Sequence, residues 1–93
     1  MSLLLYVTSV TTSRDIGKKQ QRIKDVLDIK HIPYTEVDLA REPEEKDKMR
    51  ELCGLPTALP PQIFNGDQYC GDYQAFDDAV EEGTLMEFLR LKA

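Results

Sequence analysis

Two cysteines, Cys53 and Cys70, are the side chains of this 93-residue chain with the clearest capacity for chemistry. Sulfur can exchange disulfides or bind zinc, but each function needs a particular spacing of thiols or ligands. The two cysteines are far apart in the sequence and only one histidine, His31, accompanies them, so neither a CxxC pair nor a zinc site can be assembled. We predict no metal, and we interpret both residues as reduced thiols that pack as small apolar side chains.

A second group of reactive atoms is the run of hydroxyl side chains before the first predicted helix, in the loop Ser9, Val10, Thr11, Thr12 and Ser13. A hydroxyl becomes a nucleophile beside a base, and no base is available to this loop. The simpler interpretation is that these side chains cap the helix and satisfy its free N–H groups. On the residues alone, we expect a loop without catalytic function.

A third candidate is the proline motif formed by Leu59, Pro60, Pro61, Gln62, Ile63 and Phe64. It contains PPxxF, a pattern that EVH1 domains read, although a strict PxxP is absent. The same residues are also expected to form a core strand, and exposing Ile63 or Phe64 would cost about 1.5–3 kcal/mol for each side chain. An accessible binding motif and a core strand are both open hypotheses at this point.

The composition narrows the class of protein. Hydrophobic residues make up 41% and charged residues 31% of the chain, as in a globular domain with a highly soluble surface. The net charge of −5 argues against nucleic acid as a partner, because binding to phosphates needs a basic surface. No apolar run is long enough for a membrane span, and the first residues lack the features of a secretory signal. We predict one domain over residues 1–93 in the cytoplasm.

The elements that must position these residues follow from local patterns. Two strands are predicted over 3–8 and 34–39, and a hairpin pairs 62–64 with 68–70 around Asn65-Gly66-Asp67. Helices are predicted over 14–30 and 43–53, between Asp72 and Gly83, and after Thr84. Thr12 with Asp15 and Thr84 with Glu87 match capping boxes, and Asp72 is expected to cap the third helix. A right-handed crossover places the second strand parallel to the first. The predicted fold is α/β, a four-stranded mixed sheet flanked by helices on both faces.

The order of these elements and the string LPPQIFNGDQYCGDYQAF resemble the glutaredoxin branch of the thioredoxin fold, over nearly the whole chain. The resemblance implies a cis peptide bond before Pro61, a hairpin at Asn65-Gly66, and a turn and helix cap at Cys70-Gly71-Asp72. A glutaredoxin carries CxxC or CxxS at the start of its first helix, where this chain has only hydroxyls. Because disulfide exchange needs a sulfur nucleophile, we expect the dithiol mechanism to be absent.

The cysteine-free loop, the opening YVTSVTTSRDI and the segment PPQIFNGDQYCGDY are similar to the SH3-domain-binding glutamic-acid-rich-like family, and in particular to its shortest member. The resemblance implies a glutaredoxin-like fold without oxidoreductase activity, a cytosolic and nuclear distribution, and a role as a modulator of glutaredoxin-type redox activity or as an adaptor. SH3 domains, EVH1 domains and glutaredoxin-type proteins are the expected partners. The glutamate-rich tail of the founding member has no counterpart in this sequence.

A residual groove is the remaining hypothesis for a site. We expect the fold to bring together Pro60, Pro61, Cys70, Gly71 and Asp72 beside the hydroxyl loop, and the free N–H groups of a helix start bind carboxylates. Weak glutathione binding without turnover is one expectation for this groove. The alternative is a monothiol, glutathione-dependent enzyme that uses Cys70. No resident cofactor is predicted.

Overall fold

Four strands form one mixed sheet in a computed structural model that describes residues 3–10 and 14–91 of the chain. They are β1 (Leu3–Val7), β2 (Tyr34–Asp38), β3 (Gln62–Asn65) and β4 (Gln68–Asp72), in the spatial order β2-β1-β3-β4. Strand β2 lies parallel to β1, whereas β3 is antiparallel to both β1 and β4. The predicted mixed sheet and its parallel first pair are confirmed.

Four helices flank these strands in the described part of the chain: α1 (Arg14–Ile29), α2 (Glu44–Cys53), α3 (Tyr73–Glu82) and α4 (Leu85–Phe88). The first three helices begin and end within a residue or two of their predicted bounds. The last helix is shorter than its apolar pattern indicates, since it has only four residues. Within the two described ranges, no helix is both long and apolar enough to cross a membrane.

The core lies in two layers, because side chains that follow one another along a strand point to opposite faces of the sheet. Leu5 and Ile63 belong to the layer that α1, α3 and α4 complete with Ile23, Leu27, Phe76 and Leu85. Tyr6 and Phe64, each one residue further along, belong to the layer that α2 completes with Met49. The Tyr6 and Phe64 rings meet edge to face at a centroid distance of 5.3 Å. Helices therefore cover both faces, as predicted.

Local signals fix three of the helix ends. Asp72 caps α3, because its Oδ1 accepts a hydrogen bond from the Ala75 N–H at 3.0 Å. Gly54 and Gly83 end α2 and α3 with φ of 74° and 72°, a conformation that costs glycine little. These three predictions are confirmed.

The capping box expected at Thr84 is wrong, because the Thr84 side chain makes no capping hydrogen bond to α4. Its backbone N–H donates to Ala79 O at 2.9 Å and thereby closes the C-terminus of α3. That role leaves Thr84 at φ −112° and ψ 26°, outside the extended conformation of a helix cap. Thr12, the other predicted capping residue, lies outside the described residues.

The hairpin turn is shorter than predicted. Asn65 pairs with Gln68 at the end of β3, so only Gly66-Asp67 forms the turn. The Asn65 side chain is 3% exposed, and its Nδ2 donates to Leu89 O at 3.0 Å and to Arg90 O at 3.1 Å. Asn65 thus ties the residues after α4 to the sheet, a role that its interpretation as a turn residue missed.

Candidate functional site

The loop after β1, the loop before β3 and the start of α3 meet at one end of the sheet. This convergence follows from the pairing, since Val7 at the end of β1 lies opposite Asp38 at the end of β2. Gln62 at the start of β3 likewise lies opposite Asp72 at the end of β4. We call residues 8–10, 59–61 and 72–74 at this end the proline edge.

A buried glutamine fixes the first loop of the proline edge. Gln20 on α1 is 7% exposed; its Oε1 accepts from the Thr8 N–H at 2.9 Å, and its Nε2 donates to Thr8 O at 3.1 Å. The side chain thus takes the place of the strand partner that the Thr8 backbone loses where the sheet ends. The Thr8 hydroxyl donates in turn to Val10 O at 2.9 Å. The loop is therefore held as far as Val10.

Asp38 fixes the middle of the same loop. Its Oδ1 accepts from the Ser9 N–H at 3.0 Å and from the Ala40 N–H at 2.9 Å, and Arg41 Nε lies 3.9 Å from Oδ2. A hydrogen bond from the Ser9 side chain is the largest of the causes that lower the pKa of the Asp38 carboxyl. Asp38 therefore orders this loop as a hydrogen-bond acceptor.

Side-chain hydrogen bonds also hold the loop before β3. Gln62 Nε2 donates to Leu59 O at 2.9 Å, and the Tyr69 hydroxyl donates to Gln62 Oε1 at 2.6 Å. Arg50 Nε donates to Ala58 O at 3.1 Å. Burial is the main cause that raises the pKa of Tyr69 to about 12, so its hydroxyl keeps its proton throughout the neutral range. These hydrogen bonds therefore fix the backbone of the loop that carries Leu59.

Two clefts open on the proline edge, with volumes of about 410 Å³ and 420 Å³. Ile16, Leu59 and Pro60 line both clefts as a shared ridge. The first cleft is also lined by Val10, Leu39 and Lys46, and the second by Lys19, Leu55, Pro61, Asp72 and Tyr73. Val10, Leu55 and Leu59 are 76%, 52% and 55% exposed. Exposed apolar side chains around concave surfaces are typical of binding sites.

The structure brings together part of the predicted groove. Pro60, Pro61 and Asp72 line the clefts, and the bond between the two prolines is cis, as the resemblance implied. Gly71 is buried and lines neither cleft. A Cβ at its position would lie 2.8 Å from the Phe88 ring, so the absence of a side chain at Gly71 allows β4 to pack closely against α4. Of the predicted hydroxyl loop, Thr11, Thr12 and Ser13 lie outside the described residues.

Cys70 lies outside both clefts, contrary to the expectation that it stands beside the groove. A bulge in the hairpin pairs Tyr69 with Phe64 and Gly71 with Ile63, which leaves Cys70 between them without a partner in the ladder. Its side chain packs against the core layer beneath α1, α3 and α4. Burial raises the pKa of the Cys70 thiol, which lowers its thiolate fraction at neutral pH.

Cys53 lies at the C-terminal end of α2, where its thiol donates to Arg50 O at 3.6 Å. It packs against the core layer beneath α2 and lines neither cleft. Among the residues that the structure describes, no cluster of three or more His, Cys, Asp or Glu side chains could hold a metal ion. Both sulfurs are thus in structural positions.

The proline motif lies mostly in the core. Leu59 is exposed, but Pro60, Pro61 and Gln62 are buried, and Ile63 and Phe64 are 1% and 0% exposed. An EVH1 domain could reach the side chains of Ile63 and Phe64 only if β3 separated from the sheet. In the folded chain, the hypothesis of a core strand describes Ile63 and Phe64, whereas Leu59 is exposed and Pro60, Pro61 and Gln62 only line the clefts.

The proline edge offers a ligand apolar surface and a few charges. Pro60 and Pro61 have no N–H, so at these two positions the loop can give only carbonyl oxygens and apolar contacts. Lys46 stands at the first cleft, and Lys19 and Asp72 stand at the second. Neither Cys53 nor Cys70 lines either of the two clefts.

Sequence reasoning missed several residues of the clefts, among them Ile16, Lys19, Lys46 and Leu55. Helical spacing places Ile16 on the inward stripe of α1, whereas it forms the ridge between the clefts. An apolar residue between Gly54 and Pro56, in a segment with no strand pattern, was a usable signal for Leu55. No local pattern distinguishes Lys19 or Lys46 from the other lysines, because their positions depend on the packing of α1 and α2.

Two comparisons of sequence bear on the family. A family model described as "SH3-binding, glutamic acid-rich protein" matches residues 1–92. A protein of Drosophila melanogaster described as "SH3 domain-binding glutamic acid-rich protein homolog" is 38% identical over 104 residues, which cover 98% of this chain and 65% of that protein. The chain therefore spans just under two thirds of the length of this relative.

Solved structures share the fold. The C. albicans actin interacting protein Aip5 has a TM-score of 0.78 and 22% identity, covering 95% of this chain and 87% of that one. Buckwheat glutaredoxin, in its complex with glutathione, has a TM-score of 0.69 and 18% identity, covering 95% and 76%. At these identities the likeness shows the fold alone, which is the predicted glutaredoxin-like thioredoxin fold.

Proposed function

The chain belongs to the SH3-binding, glutamic acid-rich protein family, and we propose that it is a non-catalytic binding module that holds a protein partner on its proline edge. Proteins of this family are generally non-catalytic and glutaredoxin-like. A partner held at this edge makes the chain an adaptor. A glutaredoxin held there makes it a modulator of glutaredoxin activity.

One observation carries the proposal: apolar side chains are exposed on a surface whose backbone is fixed by polar side chains beneath it. Val10 and Leu59 are 76% and 55% exposed, beside two clefts. Gln20, Asp38 and Gln62 hold the loops that carry them. A surface that is already ordered loses little conformational entropy when a partner binds, so more of the contact energy appears as affinity.

The position of the thiols supports a non-catalytic role. Disulfide exchange requires a thiolate in contact with the disulfide that it attacks. Cys70 and Cys53 pack against the two core layers and line neither cleft, so a ligand inside the clefts contacts neither sulfur. A surface without a nucleophile can hold a partner without changing it.

An NMR titration of the isotope-labelled chain with a glutaredoxin tests the proposal. We expect chemical-shift changes at residues 8–10, at Leu59 and at residues 73–74. Leu59→Ser should weaken binding about tenfold, since an apolar side chain that becomes buried contributes about 1.5–3 kcal/mol. Ile29→Ser is the matched control, because Ile29 is 76% exposed at the far end of α1, and we expect it to change the affinity less than about twofold.

Shift changes confined to other surfaces, or an equal loss of affinity in the two variants, would contradict the proposal. Glutathione is added in a second titration, because Lys19 and the free N–H groups at the start of α3 are candidates for binding its carboxylates. Shifts at residues 73–74 without turnover would extend the site to this small ligand.

The alternative function, glutathione-dependent monothiol catalysis by Cys70, has its own test. We expect no reduction of a small mixed disulfide by the purified chain, and slow alkylation of Cys70 at neutral pH because its pKa is raised. Alkylation should accelerate as the pH rises above the ordinary pKa of a thiol. Catalysis that Cys70→Ser abolishes would overturn the non-catalytic assignment.

A further inference from the structure

Two lysines stand at the clefts of a protein whose net charge is −5. Lys46 lines the first cleft and Lys19 the second. The ion pairs found among residues 3–10 and 14–91 use Arg22, Lys24 and Arg41, and neither cleft lysine takes part in them. The described linings of the two clefts thus contain two lysines and one carboxylate, Asp72, on a molecule that is acidic as a whole.

The surroundings of the two lysines leave this charge available to a ligand. Lys19 Nζ lies 5.6 Å from the centroid of the Tyr73 ring, which holds the ammonium group at the wall of the second cleft. Asp72 also lines that cleft, but its Oδ1 accepts from the Ala75 N–H as the cap of α3. The described lining of the first cleft contains Lys46 and no carboxylate.

The shape of the site suits an extended chain. The clefts are similar in size, at about 410 Å³ and 420 Å³, and they share the ridge of Ile16, Leu59 and Pro60. In an extended peptide, side chains two residues apart point to the same side and are about 7 Å apart. Two such side chains can enter the two clefts on either side of the shared ridge, while the side chains between and beside them point away from the clefts.

We propose that the occupant of the proline edge is an extended acidic segment of a protein partner. Two apolar side chains at alternate positions fill the two clefts, and the long side chains of Lys19 and Lys46 reach from the cleft walls toward carboxylates at the neighbouring positions. The inference rests on the proposed function and names the chemistry of its ligand. Exposed ion pairs are screened by salt, so the binding weakens as the ionic strength rises.

Fluorescence anisotropy with labelled peptides and the full chain tests the inference. The probe is the capped peptide Glu-Leu-Glu-Leu-Glu, and its controls are Lys-Leu-Lys-Leu-Lys and Glu-Ser-Glu-Ser-Glu. We expect the first peptide to bind at least about tenfold more tightly than either control, because only it supplies both the apolar and the charged contacts. Equal binding of the lysine peptide or of the serine peptide overturns the inference.

Charge reversal locates the contact. The variant Lys19→Glu/Lys46→Glu should bind Glu-Leu-Glu-Leu-Glu about tenfold more weakly than the unaltered chain. The matched control is Lys18→Glu/Lys48→Glu, which changes exposed lysines on the same two helices that line neither cleft. Because both variants have the same net charge, an equal loss in the two overturns the inference. Circular dichroism confirms that both remain folded.

A competition experiment separates this inference from the proposed function. A glutaredoxin that binds at the proline edge and is not displaced by Glu-Leu-Glu-Leu-Glu overturns the acidic-segment inference and leaves the binding module intact. If neither the glutaredoxin nor the peptide binds, both proposals fail. We expect Glu-Leu-Glu-Leu-Glu to displace the glutaredoxin from the unaltered chain but not from the Lys19→Glu/Lys46→Glu variant.

Discussion

At both ends of the sheet, a buried side-chain amide hydrogen-bonds to the backbone of a neighbouring segment, but the result differs between the ends. At the proline edge, the buried amides of Gln20 and Gln62 hold two loops whose apolar side chains remain exposed over clefts. At the opposite end, which we call the Asn65 end, a buried amide donates to the carbonyls of Leu89 and Arg90. There it closes the end of the chain over the core, and Leu89 is 0% exposed.

The difference shows that the Cys70 thiol and the clefts lie toward different ends of the sheet. Cys70 lies toward the Asn65 end, where hydrogen bonding from the Asn65 backbone and the charge of Arg90 act on its thiol. The clefts lie at the other end and contain neither thiol. A surface of this kind keeps its geometry without a cysteine, because amide and carboxylate side chains maintain the loops.

The largest effect on stability is expected at the Asn65 end. Asn65→Ala leaves two backbone carbonyls without their donor in a buried site, so we expect the free energy of unfolding to fall by about 2–3 kcal/mol. Arg90 lies at φ 57°, an uncommon conformation for a residue other than glycine, and would lose one of the contacts that hold it. Urea denaturation measures the change, with the exposed Gln68→Ala as control.

Binding provides the second measurement on Asn65→Ala. Under conditions where the variant is folded, its affinity for a partner at the proline edge should match that of the unaltered chain. If the free energy of unfolding fell by less than about 1 kcal/mol, Asn65 would not be the residue that closes this end. If the affinity for the partner fell, the two ends of the sheet would be energetically coupled.

A smaller effect on stability, joined to an effect on binding, is expected at the proline edge. Gln62→Ala removes the donor to Leu59 O and the acceptor of the Tyr69 hydroxyl. Water can reach these groups through the second cleft, so we expect a loss of only about 1–2 kcal/mol. The released Leu59 loop should weaken partner binding severalfold in calorimetry. An unchanged affinity would contradict the view that the amide serves the binding surface.

The smallest effect is expected from Asp38 and depends on pH. The pKa of Asp38 is lowered in the folded chain, so its contribution is present above the ordinary carboxyl pKa of about 3.9 and is lost as the pH falls below that value. Asp38→Asn should therefore be less stable than the unaltered chain at pH 7, and the difference should be smaller at an acidic pH below the ordinary carboxyl pKa. Thermal unfolding at the two pH values measures it. A constant difference would show that the charge of Asp38 does not hold Ser9.

Local signals explain why the architecture could be predicted. Asp72 as a cap and Gly54 and Gly83 as helix stops act within one turn of backbone, so residue type alone indicates them. The alternation of Leu5 with Tyr6, and of Ile63 with Phe64, assigns strand side chains to opposite faces without knowledge of the packing. The cis bond before Pro61 came from the resemblance, because residue type does not determine it.

The candidate site could be predicted only in part, because its geometry depends on contacts between distant residues. The bond from Gln20 to Thr8 and that from Gln62 to Leu59 exist only once α1 and β3 are in place. The bulge that moves Cys70 away from the groove is a property of the paired strands and has no signature in either strand alone. The pair Asn65-Gly66 correctly predicted a hairpin, but the interpretation of Asn65 as a turn residue did not predict its hydrogen bonds to Leu89 and Arg90.

The central claim is that the proline edge binds without sulfur, and a cysteine-free chain tests it most directly. The Cys53→Ser/Cys70→Ser variant is titrated with a glutaredoxin in a calorimeter, alongside the unaltered chain. The account predicts dissociation constants that agree within about twofold, because neither sulfur lines a cleft. A loss of binding of tenfold or more in a folded variant would contradict it.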